Sequence, residues 1–398
     1  MRFFTLQYFT IITLFFCLAS CNTKGQKSEG GRFTEFSPIK RELSRIQQEK
    51  ANRLEKIFDE LNKNGQFNGN VLIEQNDTII FSKCYGYADK ERKIKLNDSS
   101  AFQLASVSKT ITAAAVLVLA DWEIINLNDP VNKYVSEFPY PKVIIRDLLT
   151  HRSGLPNYLH LCSPMVKHHP NNFDNNEILC FLDSLKPKVY CQPDRRFEYS
   201  NTNYFILATL VERTTGLSFN EFVKTKIFKP LGMNNTFFFT DKVKNEYRNM
   251  TKGYTMDWRP VLSDPFDGVL GDKGVYSTTS DMLLFAKAYF GGKLFNQKLL
   301  QEATSPHSKE EHEGNYGYGW RMKNFQEGNP EKLIYHNGWW HGYRNAFQHR
   351  LKDNTHLIIL SNRLNKSVYE SKLYFDALDN VSDSAVVNQA LSELKGVE

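Results

Sequence analysis

The chain has 398 residues, which is enough for one large domain or two smaller ones. Its 41% hydrophobic and 24% charged residues are typical of a globular protein and exclude a disordered one. The net charge of +6 is modest for this length and no basic run stands out, so the sequence argues against nucleic acid as a partner.

The N-terminus has the pattern of an export signal. Arg2 precedes an apolar segment, 8–16, that is too short to span a bilayer comfortably. The tetrapeptide Leu-Ala-Ser-Cys ends at Cys21 and resembles the lipobox of bacterial lipoproteins, in which the cysteine is lipidated and becomes the mature N-terminus. We therefore expect residues 1–20 to be a lipoprotein signal peptide and 21–45 a flexible tether, with the protein anchored to a membrane of the bacterial cell envelope. The alternative is an ordinary secreted protein cut near the same point.

The predicted elements begin with a helix and a hairpin. Apolar residues with helical spacing between 54 and 61 predict an amphipathic helix. Two apolar segments, 70–73 and 78–81, are separated by a turn sequence and predict a β-hairpin. The segment 111–120 is apolar on nearly all faces, which predicts a central, buried helix. The pattern from about 126 to 260 is mostly that of helices and long loops.

Strands return near the C-terminus. Segments 343–350 and 355–361 flank Asp-Asn and predict a second hairpin, and 367–378 predicts a closing helix. The whole pattern predicts an α+β fold, in which an antiparallel sheet assembled from both ends of the chain is flanked by helices and a helical subdomain is inserted between the strands. We assign residues 46–378 to one domain and 379–398 to a C-terminal tail.

Ser106 and Lys109 stand one helical turn apart at the start of the buried helix. A helix advances about 100° per residue, so the two side chains lie on nearly the same face. A serine is a weak nucleophile until a base takes its proton, and a lysine in an apolar setting can lose its charge and serve as that base. Ser37 and Ser392 also begin Ser-x-x-Lys, but both lie in polar surroundings. A helix-capping serine is the structural alternative for Ser106.

Tyr199 and Asn201 form a second candidate element. A tyrosine beside Lys109 can shuttle protons, while an amide can orient the lysine and a substrate. Tyr-x-Asn also begins at Tyr247 and at Tyr343, and most such tripeptides lie in turns, where asparagine is common. This element is therefore weak in isolation.

His336, Asn337 and Gly338 precede the C-terminal strands and form the third element. A glycine at a strand edge lets a substrate backbone approach closely. The N–H of Trp339, paired with that of Ser106, would form an oxyanion hole. Taken alone, the histidine fits a surface position at the end of a loop.

The order and spacing of the three elements resemble those of a known family. Ser-x-x-Lys is followed by Tyr-x-Asn 93 residues later and by His-x-Gly another 137 residues on. The sequence resembles the serine β-lactamases of class C, with the related D,D-peptidases and family VIII esterases, over roughly 67–363. Five further segments look like landmarks of that family: 127–130, 148–156, 230–233, 274–281 and 316–320.

The resemblance implies a serine hydrolase that acts on esters, amides or D-amino-acid peptides. Ser106 would form the acyl-enzyme, Lys109 would be its general base, alone or with Tyr199, and Tyr199 would also protonate the leaving group. Asn201, together with the third element, would bind substrate. We expect neither a cofactor nor a metal ion, and a small molecule or peptide as substrate.

Two departures from the family bear on the substrate. His336 and Asn337 stand where relatives have a lysine and a hydroxyl that help to hold a substrate carboxylate, and a histidine is mostly neutral at neutral pH. Trp339 and Trp340 stand where relatives often have small residues, and alternation along a strand predicts that one of them reaches the site. Arg344 would supply the missing charge if it faced the pocket. Alternatives are a true β-lactamase and a catalytically silent relative that binds cell-wall peptides or a protein partner.

Overall fold

The computed structural model describes residues 42–168, 172–239, 249–308 and 315–379. The expected signal peptide, Cys21, the tether up to residue 41 and the tail after residue 379 lie outside the described residues. The first helix begins at Arg45, one residue before the expected start of the domain.

Antiparallel strands form the frame of the fold. The strands are β1 Gly69–Gln75, β2 Thr78–Tyr85, β3 Tyr87–Asp89, β4 Ile94–Lys95, β5 Phe102–Gln103, β6 Phe237–Phe238, β7 Val275–Ser277, β8 Asn315–Tyr316, β9 Arg321–Lys323, β10 Leu333–Trp340, β11 Tyr343–Arg350 and β12 Thr355–Ser361. A seven-stranded sheet has the order β2-β1-β12-β11-β10-β9-β8, and smaller sheets pair β3 with β4 and place β7 between β5 and β6. Strands from the two ends of the chain thus meet at the centre, where β1 pairs with β12.

Helices occupy most of the chain between the strands of the large sheet. They are α1 Arg45–Lys63, α2 Ser108–Asp121, α3 Ile145–Leu149, α4 Tyr158–Leu161, α5 Asn175–Leu185, α6 Asn201–Thr215, α7 Phe219–Val223, α8 Lys229–Leu231, α9 Thr279–Phe290, α10 Gln297–Ala303 and α11 Ser371–Leu378. The helix expected over 367–378 is divided, because a 3-10 turn over Lys366–Tyr369 precedes α11.

The two faces of the large sheet pack against different helices. Ile73 and Leu357 share one core with the apolar residues of α1 and α11. Their neighbours Leu72 and Ile358 point to the other face and belong to a larger core that includes α2, α6 and α9. Successive side chains of a strand alternate between faces, so both faces must be covered when a strand is apolar throughout. The predicted α+β architecture, with an inserted helical region, is confirmed.

Both predicted hairpins are present. β1 pairs with β2 around Asn76 and Asp77, which have φ of 48° and 62°. β11 pairs with β12, and Asn354 before β12 has φ of 45°. Asparagine and aspartate tolerate this left-handed region better than most side chains, so the turn residues set the register of both hairpins.

Candidate active site

Ser106, Lys109 and Tyr199 meet at one point. The Lys109 Nζ donates a hydrogen bond to the Ser106 Oγ at 3.1 Å. The Tyr199 hydroxyl donates to the same oxygen at 3.0 Å. Two groups that can exchange protons therefore touch the hydroxyl from different elements, as an activated serine requires.

The serine lies in a tight turn rather than in the helix. Ala105–Val107 forms a single 3-10 turn, and α2 begins only at Ser108. Ala105 has φ of 52°, in the left-handed region that side chains with a Cβ rarely adopt. Such backbone strain persists only where the surroundings hold it, and it is common at functional sites. The expectation that Ser106 belongs to the first helical turn is therefore corrected: it precedes the helix, in a turn that exposes its hydroxyl.

Lys109 is completely buried in the first turn of α2. Besides Ser106, its Nζ donates to the backbone carbonyl of Asp272 at 2.8 Å. The rings of Tyr199 and Tyr204 lie 5.2 and 5.8 Å from the same nitrogen, measured to their centroids. Within the described part of the chain no carboxylate forms an ion pair with it, so nothing competes with the serine for the amine except a neutral carbonyl.

A buried histidine supports Tyr199. The His151 ring lies 4.3 Å from the Tyr199 ring, centroid to centroid, and its Nδ1 accepts from the Ser200 N–H at 3.3 Å and from the Asn203 amide at 2.9 Å. Burial, and after it the charge of Lys109, holds the pKa of His151 well below its usual value. His151 is therefore a neutral packing group that fixes the orientation of the tyrosine.

His336 is inside the protein and not at its surface. Its Nε2 accepts from the Tyr316 hydroxyl at 3.0 Å, and its Nδ1–H donates to the Asn337 carbonyl at 2.8 Å. Burial, followed by the charges of Arg321 and Lys109, lowers the pKa of His336 well below its usual value. The residue that replaces the family lysine is therefore neutral, and both ring nitrogens are already engaged.

Gly338 lies where β10 passes the serine turn. A Cβ built on this glycine would come within 2.2 Å of the Leu104 carbonyl oxygen and 3.3 Å of the Ala105 Cβ. β10 can approach the segment that carries Ser106 this closely only because residue 338 has no side chain.

The two tryptophans both face the cavity. Trp339 is 64% exposed at its mouth, and the Trp340 indole donates to Asp267 at 2.7 Å. The expectation that strand alternation brings only one of them to the site is wrong, because both residues line the cavity.

A cavity of about 510 Å³ joins these elements. Every residue expected to bind substrate lines it, and the lining comprises Ser106, Leu159, Tyr199, Asn201, Asp272, Lys273, Arg321, Tyr335, His336, Asn337, Gly338, Trp339, Trp340 and Tyr369. Arg344 is not part of this wall; its guanidinium lies over the Tyr369 ring at 5.7 Å. The arrangement suits a small or medium-sized substrate that reaches Ser106 from the open side.

Sequence reasoning missed three charged residues of the wall. Asp272 and Lys273 lie directly before the landmark 274–281, and Arg321 directly after the landmark 316–320. Lys273 is buried, pairs with the Asp272 carboxylate at 3.3 Å and donates to the Tyr158 hydroxyl. These residues could have been found because they are charged and stand next to landmark segments. A landmark segment that borders a site also places its sequence neighbours at that site.

Three residues near the cavity offer metal-ligand atoms. Among the described residues, Asp264, Asp267 and His341 form the one such group, with candidate ligand atoms within 4.8 Å of one another. The His341 Nε2 lies 3.2 Å from Asp267 and 3.5 Å from Asp264. Burial by itself would lower the pKa of His341, but the two carboxylates outweigh it and raise the pKa to about 9. The imidazole is thus a cation at neutral pH, and it offsets part of the negative charge of the two carboxylates.

Comparison with known proteins places the chain in a family. The family model described as Beta-lactamase matches residues 54–380. A penicillin-binding protein of Bacillus subtilis is 33% identical over 344 residues, which cover 82% of this chain and 75% of that protein. A teichoic acid D-alanine hydrolase of Staphylococcus aureus is 30% identical over 275 residues, covering 67% of this chain and 66% of that one.

Solved structures agree with the sequence relatives. The crystal structure of FmtA from Staphylococcus aureus has a TM-score of 0.69 and 26% identity to this chain, and the match covers 85% of this chain and 92% of that one. The chain belongs to the β-lactamase family, and it is a serine hydrolase of the acyl-transfer type.

Proposed function

We propose that Ser106 is the nucleophile that becomes acylated, that Lys109 is its base and that Tyr199 relays the proton to the leaving group. The observation that carries this proposal is the pair of contacts, at 3.1 and 3.0 Å, that Lys109 and Tyr199 make to the Ser106 Oγ. A capping serine would instead accept from a backbone N–H of its helix, but the N-cap of α2 is Val107 and the helix has no side-chain cap.

The reaction follows from these contacts. Ser106 Oγ attacks the carbonyl carbon of the substrate while Lys109, as the general base, takes the hydroxyl proton, and the tetrahedral intermediate forms. The intermediate collapses, the bond to the leaving group breaks, and Tyr199 gives that group a proton, which Lys109 replaces. Water then attacks the acyl-enzyme and the same groups act in reverse, releasing the acid and restoring Ser106.

The proposed substrate contacts come from backbone N–H groups and side chains of residues that line the cavity. The backbone N–H groups of Ser106 and Trp339 would hold the oxyanion that develops during attack, and such donors typically contribute about 3 to 4 kcal/mol to the transition state. The Asn201 and Asn337 side chains would orient the substrate amide or ester. Both asparagines and Gly338 line the cavity beside the serine, which supports these roles.

We propose D-alanyl esters, amides and peptides as the substrate class. The Staphylococcus relative is named for removing D-alanine from teichoic acid, and the Bacillus relative for binding penicillin. The neutral His336 in place of the family lysine removes from this position a cation that would hold the lactam carboxylate, which weakens the case for efficient β-lactam turnover. A true β-lactamase and a silent binding protein are the outcomes to be separated by experiment.

Intact-mass spectrometry of the purified protein tests the proposal. The protein is mixed with a penicillin, a p-nitrophenyl ester or a D-alanyl ester, and the mass shift and released product are measured. We expect an adduct or turnover that disappears in Ser106→Ala and in Lys109→Met but persists in Ser108→Ala, which removes a neighbouring buried hydroxyl bonded to the Val275 N–H. An adduct that survives in Ser106→Ala would assign the nucleophile elsewhere, and no reaction with any reagent would favour the binding protein.

We also propose that the protein is exported and anchored to the bacterial cell envelope through a lipid on Cys21. The apolar segment and the lipobox-like tetrapeptide support this placement, as does the teichoic acid named for the Staphylococcus relative, which is an envelope polymer. In the described residues no helix is both long and apolar enough to cross a bilayer.

A further inference from the structure

The segment that precedes β7 is tied to α2 through two backbone carbonyls. The Asp272 carbonyl accepts a hydrogen bond from the Lys109 Nζ at 2.8 Å. One residue earlier, the Gly271 carbonyl accepts from the Thr112 hydroxyl at 2.7 Å. Lys109 and Thr112 lie three residues apart in α2 and therefore on nearly the same face of the helix. The position of Asp272 thus decides where the acceptor for the Lys109 amine lies.

Asp272 also brings a carboxylate close to that amine, since its carbonyl and its side chain belong to one residue. The side chain is only 2% exposed. Among the described residues that line the cavity, Asp272 is the one carboxylate. A nearby carboxylate without a counter-charge favours the protonated form of an amine, and a protonated amine cannot take the proton of Ser106. A base at Lys109 therefore requires that the charge of Asp272 be balanced.

Lys273 balances this charge from the next position in the chain. Its Nζ lies 3.3 Å from the Asp272 carboxylate, and its side chain is buried. The same Nζ donates to the Tyr158 hydroxyl, which in turn donates to the Asp272 carboxylate at 3.2 Å. Burial, and after it the charge of Asp272, holds the pKa of Tyr158 well above its usual value, so the hydroxyl keeps the proton that it donates. The three side chains thus form a closed set of contacts.

Two aromatic rings enclose the Lys273 ammonium. The centroids of the Tyr158 and Trp340 rings each lie 5.2 Å from its Nζ. Trp340 is itself held by its hydrogen bond to Asp267 at 2.7 Å. Aromatic faces attract a cation, and more strongly when the cation is desolvated. Lys273 is therefore engaged by the Asp272 carboxylate and by these rings, although it lines the cavity.

We propose that Lys273 is a positioning residue for Lys109: its ammonium cancels the charge of the Asp272 carboxylate and, with Tyr158, fixes the carbonyl that binds the Lys109 amine. The assignment rests on the proposed function, because it concerns the same base. Among the described residues, the other titratable or charged side chains grouped around this amine are those of Ser106, Tyr199, Tyr204, His151, His336 and Arg321. None of these is a carboxylate, so the Asp272–Lys273 pair controls the negative charge beside the base.

The pH dependence of acylation tests this assignment on the full-length protein. The rate at which a p-nitrophenyl ester or a penicillin acylates Ser106 is followed by intact mass from about pH 5 to about pH 10. Lys273→Met removes the ammonium and leaves the Asp272 carboxylate beside the amine. We expect the pH of half-maximal rate on the acid side to rise by about 1 unit, and the rate below that pH to fall about tenfold. Lys273→Gln still offers a donor to Asp272 and should show the same rise, which keeps the test available if the methionine variant does not fold.

Two further variants separate charge from packing. The double variant Asp272→Asn/Lys273→Met removes both charges, and the pH of half-maximal rate should return to within about 0.3 units of the wild type, because no unpaired carboxylate remains. Lys287→Met is the matched control. It removes the lysine that lies 3.5 Å from the buried carboxylate of Glu74, and neither residue lines the cavity. This control should lose stability without a change in the pH profile. Thermal unfolding of each variant is measured alongside.

Several results would overturn the assignment while leaving the proposed function intact. An unchanged pH of half-maximal rate in both single variants of Lys273, with acylation only slower, would mean that Lys273 merely supports the fold. A double variant with the same upward shift as Lys273→Met would remove Asp272 from the account. A higher KM with an unchanged pH profile would mean that Lys273 contacts the substrate. A failure of the proposed function looks different, since wild-type Ser106 would then not be acylated by any reagent.

Discussion

Replacement of Gly338 by alanine tests whether the distance between β10 and the serine turn sets the activity. The new Cβ would lie 2.2 Å from the Leu104 carbonyl oxygen, whereas ordinary contact begins near 3.4 Å. β10 or the turn must therefore move by about 1 Å. Overpacking of this kind costs about 1 to 3 kcal/mol of stability, and a displacement of about 1 Å at a reacting centre can cost about a hundredfold in rate.

Acylation kinetics and thermal unfolding should be measured together on Gly338→Ala. The control is Gly216→Ala, at a residue that ends α6 with φ of 71° and has no atom within 4 Å of a new Cβ. An alanine at position 216 is strained only by the left-handed backbone conformation, which costs about 1 to 2 kcal/mol of stability. The active site is untouched. We expect both variants to lose stability but only Gly338→Ala to lose acylation. Wild-type acylation in Gly338→Ala would refute the reasoning, and equal loss in both would attribute the effect to instability.

Two further predictions concern other parts of the chain. The pKa of His341 is about 9 in the folded protein and about 6.5 in the unfolded chain. Its ion pairs therefore add to the free energy of unfolding in full below pH 6.5, by at most about 3 kcal/mol, and this contribution is lost as the pH rises through 9. The difference in unfolding free energy between wild type and His341→Gln should shrink across that range; a constant difference would contradict the ion-pair account. Cys21→Ser should abolish labelling by radioactive palmitate and release the protein from membranes, whereas retained label would disprove lipidation at this residue.

The features predicted correctly from sequence are those that depend on residues close together in the chain. Asn76 with Asp77 marks a tight turn because these side chains tolerate positive φ, and the apolar segments on either side supply the strands. The buried helix α2 follows equally directly, since a segment apolar on every face can only be stable inside the protein. The three motifs were found by their order and spacing, although none was specific alone.

The features that were missed depend on contacts between distant segments. The left-handed φ of Ala105 has no local signal, because alanine favours an ordinary helix, and it exists because the surrounding structure holds the serine turn. The environment of His336 was also unpredictable from sequence. Its burial and its hydrogen bond to Tyr316 depend on the order β10-β9-β8 in the large sheet, which brings distant segments together. Trp340 lines the cavity together with Trp339, although alternation along a strand predicts that only one of them reaches it.

The amino-acid sequence by itself determined the fold class, the candidate nucleophile Ser106 and the candidate proton-transfer groups Lys109 and Tyr199. Hydrophobic periodicity and motif spacing can be read directly from the order of the residues. Only the tertiary structure decided how the charges of the site are distributed. It made His336 a neutral, buried group and placed Arg321 on the cavity wall. Burial and ion pairing are set by neighbours from other segments, and the electrostatics of a site therefore follow from packing that no local pattern records.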